Sequence, residues 1–266
     1  MKVMLDPYEV NHNCGLLRRS KRSVQRLIIQ ACSPKPKKLE TEIIPIFIVG
    51  CGHSGTTLLA SMLFQHCDVL PVTKETNSFH PLNSLWSSVS MVEQWSSIAS
   101  AMEKKAIVEK TPKHIHRINQ IIKYIPRSKI IFISRKALPC ICSMNKRFNN
   151  LEFCIERYTI DNSAGIDALN AGQVYHVQLE NLIENTEGVT RGVLEYCGLD
   201  FSKRTLQVSV NFYQRSSANG LLKSRVSQMS ENIEFKGNDS SAFEVSSQEK
   251  LIIEQLTQDY SKALGY

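Results

Sequence analysis

The chain predicts an α/β fold, a three-layer sandwich with a mostly parallel central sheet and a P-loop-like phosphate-binding loop. Three observations carry this expectation. Apolar, β-type runs alternate with helix-competent segments, as they do when a parallel sheet is covered on both faces. One run, Ile46-Phe-Ile-Val-Gly50, feeds the glycine-rich stretch Cys51-Gly-His-Ser-Gly55, which opens into the apolar segment Thr56-Thr-Leu-Leu59. Small residues there let the backbone approach an anion, and the N–H groups of the new helix point at it. Finally, 266 residues of 42% hydrophobic content are enough for one full core.

Residues 1–42 form a basic arm and residues 43–266 the folded domain. Between Val10 and Leu39 lie eight basic residues and no acid, so that removing them from the net charge of +7 leaves the remainder at −1. Such an arm suits a solvated, partly disordered leader ending in Ser33-Pro-Lys-Pro-Lys-Lys38. It also suits contact with a polyanionic acceptor, nucleic acid or a membrane surface. The first strand is Ile44–Val49, and a helix over Thr56–His66 follows the glycine loop. Cys67-Asp68 breaks that helix before a second short strand, Val69–Val72. The Ser-rich stretch Phe79–Ala101, with Trp86 and Trp95, reads as one or two helices lining a cleft, or as a variable insertion.

A third strand, Ala106–Val108, ends in Glu109-Lys-Thr-Pro112, followed by a basic helix over His114–Tyr124. The strong strand Lys129–Ile133 comes next, and Pro139 suits the first position of a helix. A long helix runs from Leu151 towards Leu169, and Val174–Leu179 makes a further strand. Thr186–Cys197 is a helix stopped by Gly198. A last helix starts at Ser246, where Ser246-x-x-Glu249 forms a capping box. In such sheets ligands lie at the carboxyl ends of the strands, where the glycine loop, Glu109-Lys110 and Ser134-Arg135 should converge.

No apolar run reaches membrane-spanning length, and the N-terminus lacks a signal-peptide pattern. None of the eight cysteines forms a C-x-x-C pair. The expectation is a soluble, cytoplasmic protein with free thiols, no zinc site and no specific nucleic-acid partner. His114-x-His116 reads as a solvated helix face. The oligomeric state is not legible.

Gly50 and Gly55 have the spacing of the ATP-binding P-loop, but the lysine that motif requires is Thr56. Arg135 directly follows an apolar strand, where its fork can grip a phosphate. Ser143 lies one turn into the next helix, on the side facing back to that strand end. No carboxylate follows Ile130–Ile133 to hold magnesium. Two phosphate sites with neither the lysine nor an evident metal acid suit a nucleotide held at both ends and not hydrolysed.

Together these motifs resemble the family of sulfotransferases that use 3′-phosphoadenosine 5′-phosphosulfate (PAPS), over about Ile44 to Tyr266. Phe47–Leu59 is similar to the family's 5′-phosphosulfate loop, and Ile130-Ile-Phe-Ile-Ser-Arg135 with Ser143 to its 3′-phosphate motif. Tyr175–Leu182 and the helix ending Leu194-Glu-Tyr-Cys-Gly-Leu199 resemble the family's Glu-Asp-Leu segment, and Ser247–Tyr266 its C-terminal helix. The resemblance implies sulfuryl transfer from PAPS, without metal, to a hydroxyl or amine of an acceptor, with carbohydrate favoured. Cys51, Gly52, His53, Ser54, Gly55, Thr56 and Thr57 would hold the 5′-phosphate by backbone N–H groups and hydroxyls. Arg135 and Ser143 would hold the 3′-phosphate, and Lys236-Gly237 the adenosine side. Lys74-Glu75, with Phe79 four residues after Glu75, resembles a stretch of carbohydrate sulfotransferases whose glutamate is the base. Glu109-Lys110-Thr111-Pro112 resembles a motif whose lysine contacts the acceptor or the transferring group. The catalytic set is thus Glu75, His53 and Lys110.

Two departures stand out: the loop's usual Lys or Arg is His53, and the Asp-Pro that follows the motif arginine is Lys136-Ala137. The rival readings are a P-loop small-molecule kinase and an inactive nucleotide-binding homologue.

Overall fold

In the computed structural model, which describes residues 16–207 and 245–266, strands and helices alternate as the sequence predicts. The strands are β1 (Ile44–Gly50), β2 (Val69–Val72), β3 (Ala106–Lys110), β4 (Lys129–Ser134) and β5 (Tyr175–Gln178). All pair in parallel, in the order β2-β3-β1-β4-β5. The chain leaves central β1 towards one edge, returns through β3, then crosses to β4 on the other side. The crevice where the order reverses is where open α/β sheets take ligands.

Side-chain alternation along β1 builds two cores. Ile46 and Ile48, with Val108 of β3 and Ile131 and Ile133 of β4, face α2 (Thr56–Leu63) and α8 (Thr186–Cys197). Phe47 and Val49, with Ile130 and Phe132, face the opposite layer. That layer holds α3 (Leu85–Ala101), a 3₁₀ turn over Pro112–Arg117, α4 (Ile118–Tyr124) and part of α6 (Leu151–Asn170). Both faces of the sheet are therefore covered, and its strands read as continuous apolar runs. A third core lies beside the sheet where α5 (Ala137–Phe148), α6 and α9 (Ser247–Ala263) meet through Cys140, Ile141, Phe153, Tyr158 and Ile253.

The helix after the glycine loop stops at Leu63, short of the expected His66. His66 accepts the Asp68 N–H on Nδ1 at 3.1 Å and donates from Nε2 to the Asp200 carbonyl at 2.8 Å, which fixes a turn. Phe79–Ala101 yields one helix, capped by Ser84 accepting from the Ser87 N–H. The expected basic helix divides into the 3₁₀ turn and α4. Pro139 is the third residue of α5, where a missing N–H still costs no helical bond. Gly198 ends α8 at φ 70°, and Ser246 with Glu249 forms the expected capping box. The arm contains a helix, α1 (Leu16–Cys32). The short helix α7 (Leu179–Glu184) follows β5 directly.

The sheet approaches α6 closely at Gly165, where an added Cβ would lie 2.6 Å from Cε1 of the Phe132 ring. A buried ring cannot yield as a flexible chain end does. Gly165→Ala should therefore destabilise the fold by about 1–3 kcal/mol despite alanine's better helix propensity, read as a lower Tm.

Candidate active site

The glycine loop is shaped by close packing at its two ends. Gly50, at φ 155°, sits where a Cβ would collide with the Ile133 carbonyl oxygen. Gly55, at φ 94°, caps α2, and a Cβ there would lie 2.6 Å from Leu179 Cδ1. Between them Ser54 is fully buried, its single hydroxyl proton shared between the carbonyls of Cys51 at 2.7 Å and Ile133 at 3.0 Å. The Ser54 hydroxyl therefore holds the loop, where the sequence reading gave it to phosphate. Cys51 likewise turns its thiol inward, and hydrogen bonding to Cys140 together with burial pushes that thiol well up. Cys140 donates weakly to the Gly52 carbonyl at 3.5 Å, tying the loop to α5. Thr56 and Thr57 form the first turn of α2, whose leading N–H groups have no intrahelical partner and point out of the helix end.

His53 lies at φ 69°, a left-handed conformation uncommon for a residue with a Cβ. Its Nδ1 shares a hydrogen bond of 2.8 Å with Ser143 Oγ, and its carbonyl accepts from Arg135 Nη1 at 3.2 Å. The structure thus brings three sequence-predicted residues, from the loop after β1, from the segment after β4 and from α5, into direct contact. Arg135 Nε is buried with no hydrogen-bond partner among the described residues. The Arg135 carbonyl accepts from the Tyr158 hydroxyl at 3.0 Å, and the next N–H, of Lys136, donates to Glu180 Oε1 at 3.0 Å. So the segment after β4 is gripped on both sides without the Asp-Pro of the resembled motif. Ser134, the residue before it, bonds His176 Nε2 at 2.8 Å and the Tyr266 hydroxyl at 2.9 Å. Burial pushes the His176 imidazole down and the Tyr266 phenol up, so both stay neutral. Lys236 and Gly237 lie outside the described residues.

The second half of the site lies at the end of β3. Lys110 Nζ is 2.5 Å from Glu75 Oε1, with the lysine side chain 5% exposed and the glutamate 44%. By strand alternation Lys110 shares the sheet face of Val108, the face that carries α2. The predicted pair therefore meets beside the loop, its carboxylate open to solvent.

Glu109, one residue earlier, points the other way and is 1% exposed. Its Oε1 accepts from the hydroxyls of Thr111 at 2.6 Å and Thr76 at 2.9 Å, and its Oε2 lies 3.1 Å from His114 Nδ1. The Phe79 N–H donates to His114 Nε2 at 3.2 Å, which leaves the ring proton on Nδ1, aimed at Glu109. Burial alone would raise the Glu109 carboxyl, but His114 and the two hydroxyls hold it below the usual carboxylate range. The Asn77 N–H donates to Thr111 Oγ1 at 3.3 Å, so β3 fixes the whole Glu75–Phe79 loop from beneath.

His114 and His116 are not a solvated face. His114 is wholly buried, and His116 Nε2 lies 2.7 Å from buried Asp161, which also pairs with Arg157. The sequence reading missed both networks because helical spacing cannot tell a buried 3₁₀ turn from an exposed helix. The signal available was Pro112 just after a strand, with two histidines within one turn. His66, Cys67 and Asp68 bring three metal-type ligands together. Both His66 nitrogens already serve the turn, and Asp68 pairs with Lys105 at 2.8 Å.

Known proteins share this architecture. The family model described as the sulfotransferase family matches residues 45–103 and 90–203. The sulfotransferase domain of the Synechococcus PCC 7002 olefin synthase is 15% identical, with a TM-score of 0.56, covering 86% of this chain and 98% of that one. Mouse sulfotransferase SULT7A1, solved in complex with PAP, is 11% identical with a TM-score of 0.55, covering 90% of each chain. An uncharacterized protein of Aquifex aeolicus (strain VF5) is 23% identical over 201 residues, 61% of this chain. The chain spans about a quarter of that relative's length (26%).

A depressed Glu109 carboxyl contributes stability that is full above the unfolded-state value near 4.5 and is lost as pH falls through the folded value. Glu109→Gln should cost about 1–3 kcal/mol at neutral pH. Its deficit against wild type should shrink as pH drops below 4.5, measured by denaturant unfolding across that range.

Proposed function

The chain belongs to the sulfotransferase family, and from that premise we propose that residues 43–266 transfer a sulfuryl group from PAPS to a hydroxyl, or amine, of an acceptor. The observation that carries the reading is the contact of the loop with the Arg135–Ser143 pair through His53. It sets two anion-binding features side by side, as a nucleotide phosphorylated at both ends requires. The residues also fit such a donor chemically. Arg135 Nε is buried without a partner among the described residues, and at Gly52 an added Cβ would meet no protein atom within 4 Å, so the loop is open there.

In this reading, N–H groups from Gly52 to Thr57 bind the 5′-phosphate, with the Thr56 and Thr57 hydroxyls. Arg135 and Ser143 bind the 3′-phosphate. PAPS supplies a sulfuryl group whose bond to a phosphate oxygen breaks as the acceptor oxygen bonds to sulfur. Glu75 accepts the proton that the acceptor hydroxyl gives up, which its solvent-open carboxylate permits. Lys110, held against Glu75, places positive charge where the phosphate oxygen gains negative charge, and His53 adds a hydrogen bond on the same side. The resemblance of Lys74-Glu75 and Phe79 to carbohydrate sulfotransferases supports a carbohydrate acceptor. The kinase rival needs a P-loop lysine, and Thr56 stands in its place, 4% exposed.

Calorimetry with 3′-phosphoadenosine 5′-phosphate in the absence of magnesium should show binding that Arg135→Ala weakens about ten- to hundredfold. Magnesium-dependent binding of ATP in its place would favour the kinase. Glu75→Gln should lower turnover about 10²–10⁴-fold while leaving nucleotide affinity within about twofold. Unchanged turnover would remove Glu75 as the base, and its absence in wild type across acceptor classes would favour a binding module.

A further inference from the structure

Helix α1 carries an apolar stripe that the described fold leaves open. Val24, Leu27 and Ile28 are 55%, 67% and 55% exposed. Their i, i+3, i+4 spacing puts them on one side of the helix. In the same helical register exposed Ala31 extends the stripe towards the helix C-terminus. The sequence of Leu16–Cys32 carries five basic residues (Arg18, Arg19, Lys21, Arg22 and Arg26) and no acidic one, and Lys21 is exposed on the helix. Lys35, Lys37 and Lys38 follow directly. No described helix is long and apolar enough to cross a membrane. A helix with an exposed apolar stripe, a basic sequence and exposed lysines at Lys21, Lys35, Lys37 and Lys38 suits the plane of a membrane interface.

We propose that α1 is a membrane-surface anchor, its Val24–Leu27–Ile28 stripe entering the headgroup region of an anionic bilayer and its cations engaging lipid phosphates. Charge complementarity selects this occupant. A nucleic acid would satisfy the basic residues but leave the apolar stripe in water. Pairing with α1 of a second copy would cover the stripe but bring two helices of five positive charges each together. Only an anionic interface uses both features at once, each basic residue near such a surface adding to the attraction. The inference does not depend on the reaction proposed above.

The test mixes the full chain with sedimentable vesicles of phosphatidylcholine alone and of phosphatidylcholine with about one third phosphatidylglycerol. Wild type should partition onto the anionic vesicles at least about tenfold more strongly, and less so as salt rises. The double variant Leu27→Asp/Ile28→Asp alters only exposed side chains, so its melting temperature should match wild type. It should lose about tenfold or more of the vesicle partitioning. A Lys21→Gln/Lys37→Gln/Lys38→Gln variant, which leaves the stripe intact, should lose the preference for anionic over neutral vesicles. Equal binding to both vesicle types by wild type would overturn the proposal. So would unchanged binding by the aspartate variant, or capture of duplex DNA in preference to vesicles by wild type and aspartate variant alike.

Discussion

The passage from β1 into α2 is the constraint on which the rest of the site depends. Gly50 pairs in register with Ile133, so the loop leaves the sheet against the backbone of β4. Only a residue without a Cβ fits there, and the Ser54 hydroxyl then binds the same Ile133 carbonyl. At the far end Gly55 presses on Leu179, the first residue of α7. The loop is thus clamped between β4 and the segment after β5. Because Arg135 stands just beyond β4, the clamp also delivers its guanidinium to the His53 carbonyl. The glycine loop and the Arg135 segment are one mechanical unit, and a substitution that loosens one end would be felt at both.

The end of β3 shows how strand alternation gives neighbouring residues different chemistry. Lys110 falls on the α2 face and meets an exposed carboxylate, whereas Glu109 falls on the α3 face and is wholly buried. An uncompensated carboxylate there would cost several kcal/mol, which is why every nearby donor is recruited to it. Thr76 and Thr111 give hydroxyls, and His114 gives its one ring proton. Two of those donors, together with the Phe79 N–H on His114, belong to or fix the loop that carries Glu75. Burying Glu109 therefore does structural work for its exposed neighbour: the desolvated charge orders the segment that presents the solvated one.

Much of this was legible in the sequence, for identifiable reasons. Strands buried on both faces announce themselves as apolar runs, and the capping box at Ser246 and the glycine stop at Gly198 are local signals that tertiary packing did not override. The family resemblance named Glu75, Lys110, His53, Arg135 and Ser143 one by one, and the fold brings Glu75 against Lys110 and His53 against Ser143 across 35 and 90 positions of the chain. What was not legible depended on direction. The Ser54 hydroxyl turns inward to the Cys51 and Ile133 carbonyls and the Cys51 thiol turns inward beside Cys140, and no spacing rule reports which way a loop side chain points. His114 and His116 look solvated in sequence because Glu109 and Asp161, their partners, lie on other elements. The helix α2 ended early because His66, read as its last residue, is recruited to a turn by Asp200.

The substitution of histidine where the resembled loop carries Lys or Arg can be weighed against this geometry. A long cation at the loop tip would reach the transferring group by itself. An imidazole at φ 69° is short, and its Nδ1 is committed to Ser143. It cannot be both a freely placed cation and the link to the 3′ motif, so charge must come from elsewhere. In the reading proposed above two residues bring it: Lys110, almost buried on the α2 face of the sheet, and Arg135, whose fork has an unpartnered buried nitrogen among the described residues. Neither belongs to the loop. The domain without its basic arm is close to neutral, so positive potential at the site arises from the placement of these two side chains, with the α2 helix end behind them, and not from bulk charge. In the reading proposed above, the loop supplies shape and N–H donors, while the ends of β3 and β4 supply the charge.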